Sequence, residues 1–171
     1  MTWPEDLEPS TTQPFSMKDG RVVEVPKAVP CFSRWSGQLP GDTFGGKAVL
    51  NFKGRPAFAE LIILWSFLEA GWEGVWVDSF GKRYLREFWP IPVPLSLPSD
   101  HQDLLRQIVE RTGAQGRSWD VFCWSAARVV FAEAKRERRD SIRPSQIAFL
   151  AAALDIGLPI SSFVVVEWSA T

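Results

Sequence analysis

Asp120-Val121-Phe122-Cys123-Trp124-Ser125-Ala126-Ala127-Arg128-Val129-Val130-Phe131-Ala132-Glu133-Ala134-Lys135 is the stretch on which the fold turns. Two short runs rich in valine and aromatics flank a Ser-Ala-Ala-Arg turn, the pattern of strand, turn, strand. A hairpin of this length brings Asp120, at the start of one strand, beside Glu133, near the end of the other. Glu133 and Lys135 are two apart and share one face of their strand. Charged groups at the end of an apolar run carry a desolvation cost that calls for a reason. Two carboxylates and a lysine then sit on one sheet edge, and carboxylate oxygens are what a hard divalent ion binds.

Downstream, Arg143-Pro144-Ser145-Gln146 opens an apolar helix predicted over residues 144–156, with Ile147, Leu150, Ala151 and Leu154 on one face. Gly157 and Pro159 stop it. Residues 163–168 read as a closing strand whose run Phe-Val-Val-Val fits burial on both faces. Upstream, residues 99–112 read as a helix with Ser99 and Gln102 at capping-box spacing, Leu104, Leu105, Ile108 and Val109 on one face, and Gly113 at its end. Residues 89–98 are punctuated by proline, which excludes a central strand. Residues 74–80 read as a strand.

Residues 55–70 predict a helix with Pro56 in its first turn and Gly71 at its end. It is apolar nearly all round, so it is expected to be buried. Glu60 lies on the face of Leu64, Phe67 and Leu68. Two readings of it stay open: an acid directed at the site, or a helix-start glutamate favoured by the macrodipole.

The N-terminal residues 1–18, rich in Pro, Ser, Thr and acid, read as a loosely ordered arm. Residues 21–25 suggest a strand stopping at Pro26, residues 29–41 a loop, and residues 47–53 another strand. With few aliphatics, residues 1–53 read as an extension packed on a domain of residues 54–171.

At 171 residues and 46% hydrophobic, the chain is long and apolar enough for one real core. The net charge of −1 is not that of a general nucleic-acid coating protein. Charge is uneven, though: residues 117–147 hold seven Arg and Lys against four Asp and Glu. Two cysteines make no disulfide framework, and Cys123, on the Asp120 strand, reads as a buried apolar residue. No signal peptide or bilayer-length apolar run is visible, so a cytoplasmic protein without a membrane partner is expected.

Gly116-x-x-x-Asp120, Glu133-Ala134-Lys135, then Gln146-x-x-Phe149 and Gly157, taken in that order, resemble the PD-(D/E)XK nuclease superfamily, and within it the VRR-NUC type. The resemblance departs at Trp119, where the family usually has proline, and at Phe149 and Leu150, where some relatives carry tyrosine. Neither change removes a metal ligand. The resemblance implies an α/β, restriction-endonuclease-like core, a mixed central sheet flanked by helices. It implies that Asp120, Glu133 and the carbonyl of Ala134 hold Mg²⁺ or Mn²⁺, and that Lys135 positions the attacking water. Gln146 would orient Lys135 or touch phosphate, and Glu60, which matches the acid on the helix before the first core strand, would contact the metal through water or a second ion. The implied partner is DNA, including branched or end-bearing DNA, with RNA still open, and the implied assembly is a homodimer. Arg136, Arg138, Arg139 and Arg143 could clamp phosphates; the first three could equally be a solvated loop. The other class of function is a non-catalytic nucleic-acid-binding or protein-interaction module of the same fold. The intact acid, acid, lysine set favours the enzyme.

Gly41-Asp42-Thr43-Phe44-Gly45-Gly46-Lys47-Ala48 nearly spells a phosphate-binding loop. Ala48 replaces the hydroxyl that would hold magnesium, and the flanking strand and helix are missing, so nucleotide binding is not expected. The lone histidine, His101, argues against a histidine-based triad, and Cys and His are too few for zinc. Among the aromatics, most read as core; Trp35, in a loop, is the exception available for stacking on a base.

Overall fold

The computed structural model describes residues 3–113 and 117–171, so Gly116 of the motif lies outside the described residues. The chain is α/β, with a mixed, largely antiparallel sheet flanked by three helices. In order come β1 (Thr11–Ser16), β2 (Val22–Ala28), β3 (Cys31–Arg34), β4 (Leu50–Phe52), β5 (Arg55–Ala57), α1 (Ala59–Glu69), β6 (Glu73–Asp78) and β7 (Arg83–Leu85). Then follow α2 (Ser99–Thr112), β8 (Val121–Trp124), β9 (Val129–Arg136), α3 (Pro144–Asp155) and β10 (Phe163–Ala170). The strand order is β5-β4-β3-β10-β9-β8-β6-β7, with β2 also pairing β10 and β1 pairing β2. The parallel pairings are those of β10, with β2, β3 and β9; the rest are antiparallel.

Strand alternation splits the core into two layers. Helix α1 packs on the face carrying Trp76, Val121, Val130, Ala132, Val164 and Val166. Helices α2 and α3 cover the other, with Val75, Phe122, Phe131, Phe163 and Val165. On that second face Phe122, Phe131 and Phe163 stand in register across β8, β9 and β10. Their rings stack at 4.6 and 5.4 Å, and Phe149 of α3 meets Phe131 edge-on at 5.2 Å. This row pins the pairing: a slip of one residue would turn every phenylalanine to the wrong face. Gly74 permits close approach of β6 to β8, since a Cβ there would lie 2.6 Å from the Cys123 sulfur.

Several sequence expectations need correction. The expected N-terminal arm contains an ordered strand, β1, which pairs with β2 along its whole length. Strand β2 does not stop at Pro26. The Lys27 carbonyl accepts from Ser10 N–H at 3.0 Å, so Lys27 bonds towards β1 and Pro26 faces the other edge. There the ladder with β10 begins only at Lys27, and the missing N–H costs no bond. Residues 29–41 are not all loop, because β3 adds to the far half of the β10 edge.

The first helix begins at Ala59, not residue 55. Lys53 and Gly54 both take positive φ and close a two-residue hairpin between β4 and β5, as such turns require. Pro56 therefore sits in a strand. The capping box at Ser99 is absent: Pro98 is the N-cap, and the Gln102 amide donates instead to the Leu97 carbonyl at 2.8 Å. In α3 the buried face is Gln146, Phe149, Leu150, Ala152 and Ala153, whereas Ile147, Ala151 and Leu154 are only half-buried. Tertiary packing overrode the simple period. In α2, Leu105 and Ile108 are buried and Val109 is 38% exposed. Among the described residues no helix is long and apolar enough to cross a membrane.

Candidate active site

Strand β8 lies between β9 and β6 and runs antiparallel to both. Its first residue therefore emerges at the sheet end where β9 and β6 finish. Asp120 precedes β8, Glu133 and Lys135 close β9, and Asp78 closes β6. Val121 pairs with Ala132, so Asp120 falls opposite Glu133. These ends open into a cleft of about 600 Å³, lined also by Lys47, Glu60 and Gln146.

The hairpin backbone ties the two acids together. Asp120 N–H donates to Glu133 Oε2 at 3.3 Å, and Ala134 N–H donates to Asp120 Oδ2 at 3.1 Å. Lys135 Nζ lies 2.9 Å from Glu133 Oε1, and the Gln146 side-chain amide donates to the same oxygen. Gln146 also holds its own helix: its Oε1 accepts from Arg143 N–H at 2.8 Å, satisfying a donor at the start of α3. Trp119, at the position where the resembling family has proline, donates its indole N–H to the Gln146 carbonyl at 3.2 Å. Glu133 is 2% exposed and Lys135 7%. By strand parity both face α3, with Phe131.

Glu60 comes from the opposite side of the sheet, on the first turn of α1, and is 7% exposed. It forms an ion pair with Lys47. Lys47, like Phe44, Asp78, Phe80 and Arg117, lines the cleft without being singled out for it by the sequence, where its one signal is a glycine-rich loop ending in lysine that resembles only a nucleotide-binding motif. The Lys47 ammonium also lies 5.6 Å from the ring centres of both Phe44 and Trp76, within cation–π range.

Burial pushes the Asp120 carboxyl well above the ordinary range, and the charges of Glu133 and Glu60 push it further. Lys47 and the Ala134 N–H pull the other way. Burial likewise raises Glu133, against the opposing pull of Lys135. Burial, and for Asp120 the neighbouring acids, thus disfavour ionising the pair, a condition that a bound cation relieves.

Arg136, Arg139 and Arg143 line the cleft, as does Arg117. Arg138 does not: its side chain is exposed and pairs with Glu137 at 3.4 Å. Trp35 is also outside the cleft, its indole N–H given to the Gln38 carbonyl at 2.9 Å. Cys123 is a buried free thiol in β8.

The oxygen donors fit a hard divalent ion. Asp120 Oδ2 accepts from the Ala134 N–H and Glu133 Oε2 from the Asp120 N–H, the latter a long bond, and the two carboxyls themselves lie within hydrogen-bonding reach. A strand residue points its N–H and C=O to one edge, so the Ala134 carbonyl faces the same side as its N–H, towards Asp120. Two carboxylates and a carbonyl, completed by water, are a magnesium-type set. Among the described residues no group of three His, Cys, Asp or Glu side chains is placed to hold an ion by itself. Glu60, paired with Lys47, stands outside the donor set.

No family model, curated protein or solved structure matches this chain.

Proposed function

We propose that the cleft is the active site of a PD-(D/E)XK-type nuclease of the VRR-NUC kind, hydrolysing phosphodiester bonds in DNA on a restriction-endonuclease-like core. The observation that carries this reading is the convergence of Asp120, Glu133 and Lys135 at one sheet end, with Gln146 joined to Glu133. The order α1, β6, α2, β8, β9, α3, β10, with β7 added to the edge, supports the core assignment.

Asp120, Glu133 and the Ala134 carbonyl would hold Mg²⁺ or Mn²⁺. When bound, the ion supplies Lewis acidity and an acidified water. The chain's own groups do the rest. Lys135, fixed against Glu133, orients the attacking water and meets the charge that develops on the phosphate. Gln146 locks the rotamer of Glu133. The Lys47–Glu60 pair bounds the cleft on the α1 side and moderates the charge at Asp120. Arg136, Arg139 and Arg143 neutralise backbone phosphates, positioning the strand without reading its sequence. A homodimer and a cytoplasmic location belong to the same proposal.

The second reading is a binding module of the same fold. One observation favours it: Glu133 Oε1 is already satisfied by both Lys135 and Gln146.

The test is a Mg²⁺ and Mn²⁺ titration of cleavage on linear, circular and branched DNA, with an RNA control. The enzyme reading expects metal-dependent cleavage. A protein that binds neither ion by calorimetry and cuts nothing leaves only the binding module.

A further inference from the structure

The cleft has two unlike flanks. On the β9 side stand Arg136, Arg139 and Arg143; on the β6 side stand Phe44 and Phe80. Strand β8, with Asp120 at its start, separates them. Phe80 is 89% exposed, the most exposed of the large hydrophobic side chains among the described residues.

The turn that displays it is not a loose one. The buried Asp78 carboxylate accepts from Gly81 N–H at 2.8 Å and from Arg83 Nε at 2.8 Å. A side chain at position 81 would collide with that carboxylate, the Cβ lying 2.3 Å from Oδ2. Phe44, beside it, is held at φ +49, a conformation bulky residues seldom adopt. The strain has a visible result. The Phe44 ring meets Trp76 at 5.3 Å and Phe88 at 5.5 Å below, and Phe80 edge-on at 6.2 Å above. Its loop is clamped as well: Phe44 N–H donates to Asp42 Oδ1 at 2.8 Å, and Trp89 Nε1 to the Asp42 carbonyl at 2.7 Å.

We infer that Phe80, backed by Phe44, is a nucleobase-stacking lip, and that the cleft takes unpaired, single-stranded DNA. This rests on the nuclease reading of the same site. Every base has an aromatic face, but in a duplex the neighbouring bases cover it. An exposed phenyl ring on a fixed turn, across the cleft from an arginine flank, suits a strand whose bases are free to stack while its phosphates lie against the positive charge. Fixing the turn that carries the ring lowers the ordering cost of binding.

The experiment compares wild type, Phe80→Ala and Phe80→Trp. Binding is read by anisotropy of a short fluorescein-labelled oligonucleotide in EDTA, where no cleavage occurs. The probes are a single strand, the same sequence as a duplex, and the single strand with abasic sugars. Phe80→Ala is expected to weaken binding of the single strand about tenfold, Phe80→Trp to restore it, and the duplex to bind all three proteins equally. Wild type should bind the abasic strand no better than Phe80→Ala binds the intact one. The stacking lip is overturned if Phe80→Ala binds the single strand as wild type does, or if wild type ignores the loss of the bases. A parallel Mn²⁺ single-turnover assay separates the two ideas. Metal-dependent cleavage without Phe80 dependence removes the lip and keeps the nuclease. Phe80-dependent binding without any cleavage keeps the lip and removes the nuclease.

Discussion

Lys135 Nζ lies 2.9 Å from Glu133 Oε1, although the two residues share one strand and are next neighbours on its face. Both are nearly fully buried. A pair so placed has a large desolvation cost and returns little net stability. Its geometry is better understood as positioning. The ammonium is held beside the Glu133 carboxylate, on the cleft that Asp120 also lines.

Lys135→Met keeps the aliphatic stem and removes the charge. Single-turnover cleavage should fall ~100-fold or more, as for loss of a group that stabilises developing charge. Calorimetric Mn²⁺ affinity should hold level or rise, since a neighbouring like charge is gone. Asp120→Ala should instead weaken the ion itself. A Lys135→Met variant that cleaves at the wild-type rate removes this strand from the chemistry.

Asp120 contributes, with Glu133, to the pH response of stability. Its carboxyl in the folded protein lies above its ordinary value of 3.8. The folded state therefore binds its proton more tightly than the unfolded chain does. That contribution is whole below the unfolded pKa and is lost as pH rises through the folded one. Metal-free wild type should lose melting temperature from mildly acidic to neutral pH. Asp120→Asn, which keeps the oxygen for Ala134 N–H, should melt higher than wild type, with a gap that widens as pH rises. About 1 kcal/mol would appear as 2–4 °C in a domain of this size. Added Mn²⁺ should raise wild type and leave Asp120→Asn little changed. Equal melting of the two proteins across the range would contradict the raised carboxyl.

Lys47 and Glu60 should prove coupled. Each single change, Lys47→Met or Glu60→Gln, strands a partly buried charge, whereas the double change strands none. Chemical denaturation should give an interaction energy within the ~0.5–3 kcal/mol seen for residues in direct contact. Additive effects would mean that the pair is incidental.

Phe131 holds the register that aligns Asp120 with Glu133. It touches Phe122, Phe149 and Phe163 and is fully buried. Phe131→Ala should cost about 3–5 kcal/mol, read as a fall in denaturation midpoint. Phe131→Leu should cost clearly less. A small effect for the alanine variant would show that pairing is set elsewhere, for instance at the β9–β10 ladder.

The hairpin, its two acids and lysine, and the helix opened by Pro144 and Gln146 were legible in the sequence because they are local. Strand alternation and turn chemistry place Asp120 and Glu133 within a short segment, and a proline marks a helix start wherever the helix packs. The central burial of β10 was legible too, in its unbroken Phe-Val-Val-Val run. What lay beyond reach depended on distant partners. Residues 11–16 carry no clear strand pattern, and they are ordered because β2 offers them a ladder. Residues 31–34 become a strand only where β10 outruns β2 and leaves its edge open. The bond from Gln146 to Glu133 needed the α3 face to be known. Lys47 and Phe80 reach the cleft because β8 runs antiparallel between β6 and β9, bringing three strand ends and two remote loops to one place. Local rules set which residues can be charged, strained or turned; only the pairing of strands far apart in the chain decides which of them meet.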